Sequence, residues 1–292
     1  MTTPVIPRSV SDSSGGQISN RPTTKIRPPQ GLASLNFQDL REYRELLYFL
    51  VWRDVKVRYK QTVIGVAWAV LQPFLTMVVF TLVFGQLIQV PTGETPYPIF
   101  TFVALLPWTF FAGAIGRSGN SLVYDANLIS KVYFPRIIIP LAAVVSNLVD
   151  FAFAFIILIG MMLIVGVIPG ISILALPIFV LLALMTALGV GLGLSALNVK
   201  YRDIGYAIPF LIQLWLFLTP VAYPVTIISE RWRLLYSLNP MVGVVQGFRW
   251  ALLGEQNLSW SLIFLSMLVM LALLAAGAFY FRRMEFEFAD VV

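Results

Sequence analysis

Four basic residues, Arg53, Lys56, Arg58 and Lys60, fall within eight positions, directly before a long uncharged run that opens at Gln61. Cations placed there attract anionic groups at a membrane surface by about 1 kcal/mol each. Arginine can also grip a phosphate through two parallel hydrogen bonds. The same four residues can equally serve only to fix orientation, since basic residues beside a membrane span hold that end in the cytoplasm. Asp150 is the second group with chemical potential, the one charge in the 63 residues between Arg136 and Lys200. A charge at mid-membrane costs about 2.5–3.5 kcal/mol, less than the roughly 4–7 kcal/mol returned by the apolar residues of 144–163. The chain has no histidine and no cysteine. Disulfides, thiolate chemistry, histidine acid–base steps, and zinc or haem ligation through these residues are therefore excluded, and no metal site is expected. Without a histidine, lysine or second acid beside it, Asp150 makes a poor proton relay, and a polar contact with Ser146 or Asn147 is the expectation. Gly189-Val190-Gly191-Leu192-Gly193 resembles a phosphate-cradling loop, but it lies in a continuous apolar helix pattern with no Lys-Ser/Thr after it. Gly189 and Gly193 read instead as a contact surface of small residues for another helix.

The elements that must position these residues are membrane helices. Hydrophobic residues make up 59% of the 292 and charged residues only 12%, with a mean hydropathy of +0.84, against about 25% charge in soluble domains. Residues 61–93, 95–116, 204–229 and 256–281 carry no charge, and each run exceeds the roughly 20 residues that cross a bilayer. The stretch around Asp150 is too long for one span and reads as two, broken at Ile168-Pro169-Gly170-Ile171-Ser172. The expectation is an all-α polytopic membrane protein whose six transmembrane helices cover about 62–88, 97–117, 137–167, 172–198, 204–225 and 259–281. With the N-terminus inside, 17 of the 20 lysines and arginines lie inside, and only Arg231, Arg233 and Arg249 lie outside. That asymmetry predicts cytoplasmic N- and C-termini.

Between the spans, four segments carry their own signals. Residues 1–35 are polar, lack the apolar core of a signal peptide, and read as a disordered cytoplasmic tail. Residues 36–61 read as an amphipathic helix along the inner membrane surface, with Leu40, Tyr43, Leu47, Leu50 and Val51 at helical spacing and Asn36 as a cap. On the inside loop after span 2, Leu128, Ile129, Val132, Tyr133 and Phe134 are apolar and predicted to be exposed, which suits a docking helix over 126–134 for another protein. After span 5, Thr219-Pro220-Val221-Ala222-Tyr223-Pro224 interrupts the apolar pattern, and the uncharged run 234–248 is too short to cross. Residues 226–258 therefore read as a pair of short re-entrant outer helices. Irregular backbone at that depth requires a protein cover or a wet cavity, which points to a translocation exit.

Together these motifs resemble the ABC-2 class of transporter permeases. Tyr59-Lys60-Gln61-Thr62-Val63-Ile64-Gly65-Val66-Ala67-Trp68 with Gln72-Pro73 is similar to the family's opening, although the family usually has Leu where Ile64 stands. Lys131-Val132-Tyr133-Phe134-Pro135-Arg136, Asn198-Val199-Lys200-Tyr201-Arg202-Asp203-Ile204, Leu218 to Pro224, and Leu238-Asn239-Pro240-Met241 follow in the family's order over about 36–285. The likeness is greatest to the branch exporting O-antigen, capsular polysaccharide and teichoic acid. It implies a homodimer served by two copies of a separate ABC ATPase that carries the ATP and magnesium, with no cofactor in this chain. It further implies a glycan on undecaprenyl diphosphate, or a related anionic polymer, as substrate in the bacterial inner membrane, with membrane lipids and no nucleic acid as other partners. By the same likeness, Arg58, Tyr59, Lys60, Ile64 and Gly65 lie near the substrate head group. Asn127, Leu128, Ile129, Lys131, Val132, Tyr133 and Phe134 form the coupling helix in a cleft of the ATPase, and 226–258 forms the outer gate.

A saccharide needs a wide path lined by aromatic faces and hydrogen-bonding groups. Phe74, Trp108, Phe110, Phe111, Trp215, Phe217 and Tyr223 lie in or beside the spans as candidates for that lining, though each can equally face lipid. The chain has no ATP-binding motif, so the work must come from a partner. Two other classes remain open at this point. A membrane-embedded transferase would need acids gathered near the interface, where only scattered Asp125, Asp203 and Glu255 are available. An ion-coupled transporter would need several ionisable groups at mid-membrane.

Overall fold

The computed structural model describes residues 41–60, 65, 67–93, 95–254 and 259–285. The expectations for 1–35, Asn36, Leu40 and Thr62–Ile64 fall outside the described residues. Every regular element among those described is helical. In order these are α1 (Arg44–Lys60), α2 (Ala67–Phe80, prolonged by a π-helical stretch Thr81–Leu87), α3 (Tyr97–Tyr124), α4 (Ala126–Lys131) and α5 (Ile138–Val165). A 3-10 turn (Ile171–Ala175) then leads into α6 (Leu176–Lys200), followed by α7 (Ile204–Phe217), a second 3-10 turn (Val225–Ile227), α8 (Glu230–Tyr236), α9 (Pro240–Leu253) and α10 (Trp260–Glu285).

Among the described residues, five stretches are long and apolar enough to cross a membrane: Ala67–Leu87, Tyr97–Tyr124, Ile138–Val165, Ile171–Lys200 and Trp260–Glu285. The fifth expected span differs. Helix α7 has 14 residues, about 21 Å at 1.5 Å per residue, against a hydrocarbon core of about 30 Å. It stops short of Pro220 and Pro224, two prolines within five residues that lack the amide hydrogens a continuing helix would need. Helix α3 departs the other way. It runs past the expected end at 117 to Tyr124, so Arg117 sits inside a helix and not on a loop.

Helix α3 is the most buried of the five and packs against α5 and α6, while α6 packs along α10. The small-residue contact expected at Gly189 and Gly193 is the α6–α10 crossing. A Cβ on Gly277 would lie 2.0 Å from the Gly189 carbonyl oxygen, and one on Gly189 would lie 2.7 Å from the backbone of Leu274. Only glycine permits so close an approach.

Helix α1 carries Glu45 in its first turn and Arg58 and Lys60 in its last, which suits its dipole. Its apolar stripe packs on protein, where the spacing had suggested lipid. Leu50 is buried, and Tyr43, Leu47 and Val51 join it in a cluster with Phe134, Ile138 and Phe281. The opposite face exposes Tyr48, Phe49 and Trp52, and Val57 is exposed near the C-terminal end of the helix.

Candidate functional site

A cavity of about 860 Å³ opens between α1, α2, α3, α5 and α7. Its aromatic wall is Trp68, Trp108, Phe110 and Phe151, and its hydrogen-bonding groups include Gln72, Thr76, Thr109, Asn120 and Asn147. Two helix-interior prolines, Pro73 of α2 and Pro209 of α7, also line it. Proline leaves the carbonyl four residues earlier without its helical donor; for Pro73 that residue is Ala69, which is itself part of the lining.

The charges of the lining are Arg58, Arg117 and Asp150, and they meet. Arg58 Nη1 donates to Asp150 Oδ2, and Arg58 Nη2 donates to Ser146 Oγ at 3.2 Å. The Tyr59 hydroxyl donates to Asp150 Oδ1, and Arg117 Nη2 reaches Asp150 Oδ2 at 3.3 Å. Burial, reinforced by the bond to Asp150, pushes the Tyr59 hydroxyl up to about 12, so it remains a proton donor at neutral pH. Asp150 therefore does not make the local contact expected with Ser146 or Asn147. It is neutralised by cations from α1 and α3, and Asn147 turns back to its own helix at the Ala143 carbonyl, 2.6 Å away.

The expected site residues divide accordingly. Arg58, Tyr59 and Gly65 line the cavity; Lys60 is exposed and does not, and Ile64 lies outside the described residues. Gly65 takes a left-handed conformation (φ +56) at the turn before α2, which suits glycine and strains other residues. Of the aromatics, Trp108 and Phe110 line the cavity. Phe111 is fully buried and meets Trp215 edge-on at 5.0 Å, while Phe74 and Phe217 are exposed away from the lining. Arg117, Trp68 and Phe151 belong to the lining and were not singled out by sequence. A lone base and a lone acid in neighbouring spans was the available signal for Arg117, because such groups pair inside membranes.

At the other end of α3, the irregular segment after α7 is held by side chains. Asn239 Nδ2 donates to the Leu218 carbonyl at 3.0 Å, and the Tyr97 hydroxyl donates to that of Ala222 at 2.7 Å. Arg249, only 1% exposed, donates to the carbonyls of Val221 (3.0 Å) and Tyr223 (3.2 Å) and stacks over Phe100 at 3.6 Å. The Tyr223 and Tyr236 hydroxyls lie 2.7 Å apart. Non-helical backbone is tolerated at membrane depth when its polar groups are satisfied in this way. Asn239 also caps α9 by accepting from the Met241 amide, with Pro240 at the first helical position.

The segment expected to dock a partner forms a shorter helix than its expected bounds. Helix α4 spans six residues, Leu128 and Ile129 pack partly against the α1–α5 cluster, and Phe134 is buried in it. Phe134 is therefore an anchor and not part of an exposed face; Val132 and Tyr133 remain exposed, as does Tyr124. Asn127 and Lys131 lie within α4. Arg53 of α1 forks onto Asp125 at 2.7 and 2.9 Å and ties α1 to the start of this segment. Arg136 Nη1 donates to the Glu285 carbonyl at 2.7 Å and ties its end to α10.

A family model for the ABC-2 type transporter matches residues 45–253. The chain belongs to the ABC-2 type transporter family. The family match contains the whole cavity lining and the α7–α9 region, and it ends at the last residue of α9. Among ABC-2 relatives, the O-antigen export system permease protein RfbA of Myxococcus xanthus is 32% identical over 259 residues, covering 87% of this chain and 98% of that protein. A protein of the same description from Klebsiella pneumoniae is 26% identical over 85% of this chain and 95% of its own length. The polysialic acid transport protein KpsM of Escherichia coli is 22% identical over 81% of this chain and 92% of its own length.

Proposed function

We propose that this chain is the permease subunit of an ATP-driven exporter that moves a lipid-linked polysaccharide of O-antigen type across the bacterial inner membrane. The observation that carries the reading is the 32% identity to an O-antigen export permease over nearly the full length of both proteins. A lining that mixes tryptophan and phenylalanine faces with Gln, Thr and Asn side chains supports a saccharide as cargo. In this reading two copies of the chain assemble with two copies of a cytoplasmic ABC ATPase, and both termini are cytoplasmic, as the basic asymmetry favours. Helix α7 with the segment that follows it completes a sixth crossing. The exposed face of α1 lies at the membrane interface, Val132 and Tyr133 dock the ATPase, and α8 and α9 form the outer gate. The carboxylate of Asp150 is held by two guanidinium groups, which takes away the group an ion-coupled mechanism would use. The test is reconstitution of the permease with its ATPase in proteoliposomes carrying a polyprenyl-diphosphate-linked glycan. Glycan movement that requires ATP hydrolysis supports the reading. Movement driven by an ion gradient without ATP overturns it.

A further inference from the structure

The Asp150 cluster has the composition of an anion site whose anion is already part of the protein. Three donors from two other elements converge on one carboxylate: Arg58 and Tyr59 from the end of α1, and Arg117 from α3. The cluster lies on the cavity wall, and its side chains are about one-fifth to two-fifths exposed. Two guanidinium groups face one carboxylate, so one positive charge is left over, and among the described residues no other charged side chain lines the cavity to balance it. Arg117 is the less committed of the two. It touches Asp150 through a single contact at 3.3 Å, and its Nη1, although screened from solvent, has no hydrogen-bond partner among the described groups.

Resting on the export reading, we propose that Asp150 is a resident stand-in for the phosphate of a membrane lipid. The carboxylate holds Arg58 and Arg117 in place while the cavity is empty, and a phosphate or diphosphate head group displaces it on binding. Chemistry favours the exchange in that direction. Phosphate offers more acceptor oxygens than carboxylate and suits the forked geometry of arginine. A diphosphate brings at least two negative charges to match the two guanidinium groups, where Asp150 supplies one. The released carboxylate stays on the wall of a wet cavity, beside Ser146 one turn away on α5, so its hydration is not lost. The exchange also removes the two side-chain links that Arg58 and Tyr59 make to α5 through Asp150, while the apolar packing of Leu50 on Ile138 stays in place. Loading of the head group is thereby linked to the helix that Arg53 joins to the α4 segment.

The experiment is a binding titration on the full-length permease–ATPase complex in nanodiscs, with farnesyl diphosphate as probe and farnesol as the uncharged control. The expected result is that Asp150→Asn, which removes the competitor, binds the diphosphate about tenfold more tightly than the unmodified protein. Arg117→Gln should bind it about tenfold more weakly, the effect of one charge-assisted hydrogen bond. Asp150→Glu, which keeps the charge, should bind close to the unmodified protein, and farnesol affinity should not change in any of them. Parallel titrations in phosphatidylcholine and phosphatidylglycerol nanodiscs distinguish the phosphate source. Equal affinity in both supports the lipid-linked carrier, and weakening in phosphatidylglycerol supports bulk anionic lipid as the displacing phosphate. Asp150→Asn binding no more tightly than the unmodified protein overturns the proposal. If that variant does not assemble, unchanged binding by Arg117→Gln overturns it instead. Failure of the unmodified chain to associate with an ABC ATPase would count against the export reading and not against the exchange.

Discussion

The two ends of the bundle solve the same problem, an arginine inside an apolar protein, in opposite ways. At one end Arg58 and Arg117 face a carboxylate on a cavity wall. At the other, Arg249 is enclosed, and its Nη atoms donate to backbone carbonyls of the segment that follows α7. Backbone carbonyls are neutral and cannot leave, so Arg249 is a fixed brace for chain that lacks helical hydrogen bonds. A carboxylate carries its own charge and can be replaced by another anion, so Arg58 and Arg117 are held without being locked. The difference separates a structural cation from an exchangeable one without reference to sequence position.

The sharpest way to break this contrast is to remove the brace. Arg249→Met should cost about 3–5 kcal/mol, since it removes the donor to the buried Val221 carbonyl and to the partly buried Tyr223 carbonyl, together with the contact over Phe100. Arg117→Gln should cost no more than about 1 kcal/mol, as expected for a partly exposed ion pair. Thermal unfolding of the two variants in detergent compares them directly, and equal losses would erase the distinction. Next in size is Gly277→Leu. Its side chain would collide with the Gly189 carbonyl and force α6 from α10, at about 1–3 kcal/mol for overpacking, read from the same melts.

Smaller effects on stability test the adjustable end. Arg53→Gln removes the fork onto Asp125, a pair about one-fifth to one-third exposed, and should cost about 1 kcal/mol or less. Substrate-stimulated ATP hydrolysis should fall more than the stability does if α1 transmits loading to the α4 segment. Smallest of all in stability is Tyr133→Asp, within about 0.5 kcal/mol because the side chain is exposed. It should nonetheless abolish co-purification with the ATPase, since an unpaired charge would be buried in the contact. Phe134→Asp, at a buried position, should instead prevent folding. A Tyr133→Asp variant that co-purifies and exports normally removes the docking role.

How far the sequence reveals these features depends on whether the signal is local. Charge-free runs locate the helices, and the spacing of Gly189 and Gly193 marks a helix contact, because both are properties of one segment. Arg117 reads as the end of a span for the same reason: a charge ends an uncharged run, and only the packing of α3 beside α5 gives it a partner within the bundle. The stripe on α1 is visible in sequence, but whether lipid or Phe281 covers it depends on an element more than 200 residues away. For α7 two local signals disagree: the uncharged run continues to 229, which suggests a full span, while Pro220 and Pro224 mark an interruption that the hydrogen-bonded helix, ending at Phe217, does not reach. Arg249 looks like an outside topology charge until its carbonyl partners are placed.

The central claim is that the cavity between α1, α2, α3, α5 and α7 receives the exported glycan lipid. Trp68 and Phe217 provide a matched pair, with similar exposure at 55% and 63%, but only Trp68 lines the cavity. A photo-activatable phenylalanine analogue at each position, illuminated during ATP-driven turnover with radiolabelled lipid-linked glycan, tests the claim most directly. The account predicts that position 68 captures the glycan lipid and that position 217 captures only bulk phospholipid. Capture of the glycan lipid at 217 and not at 68 would contradict it.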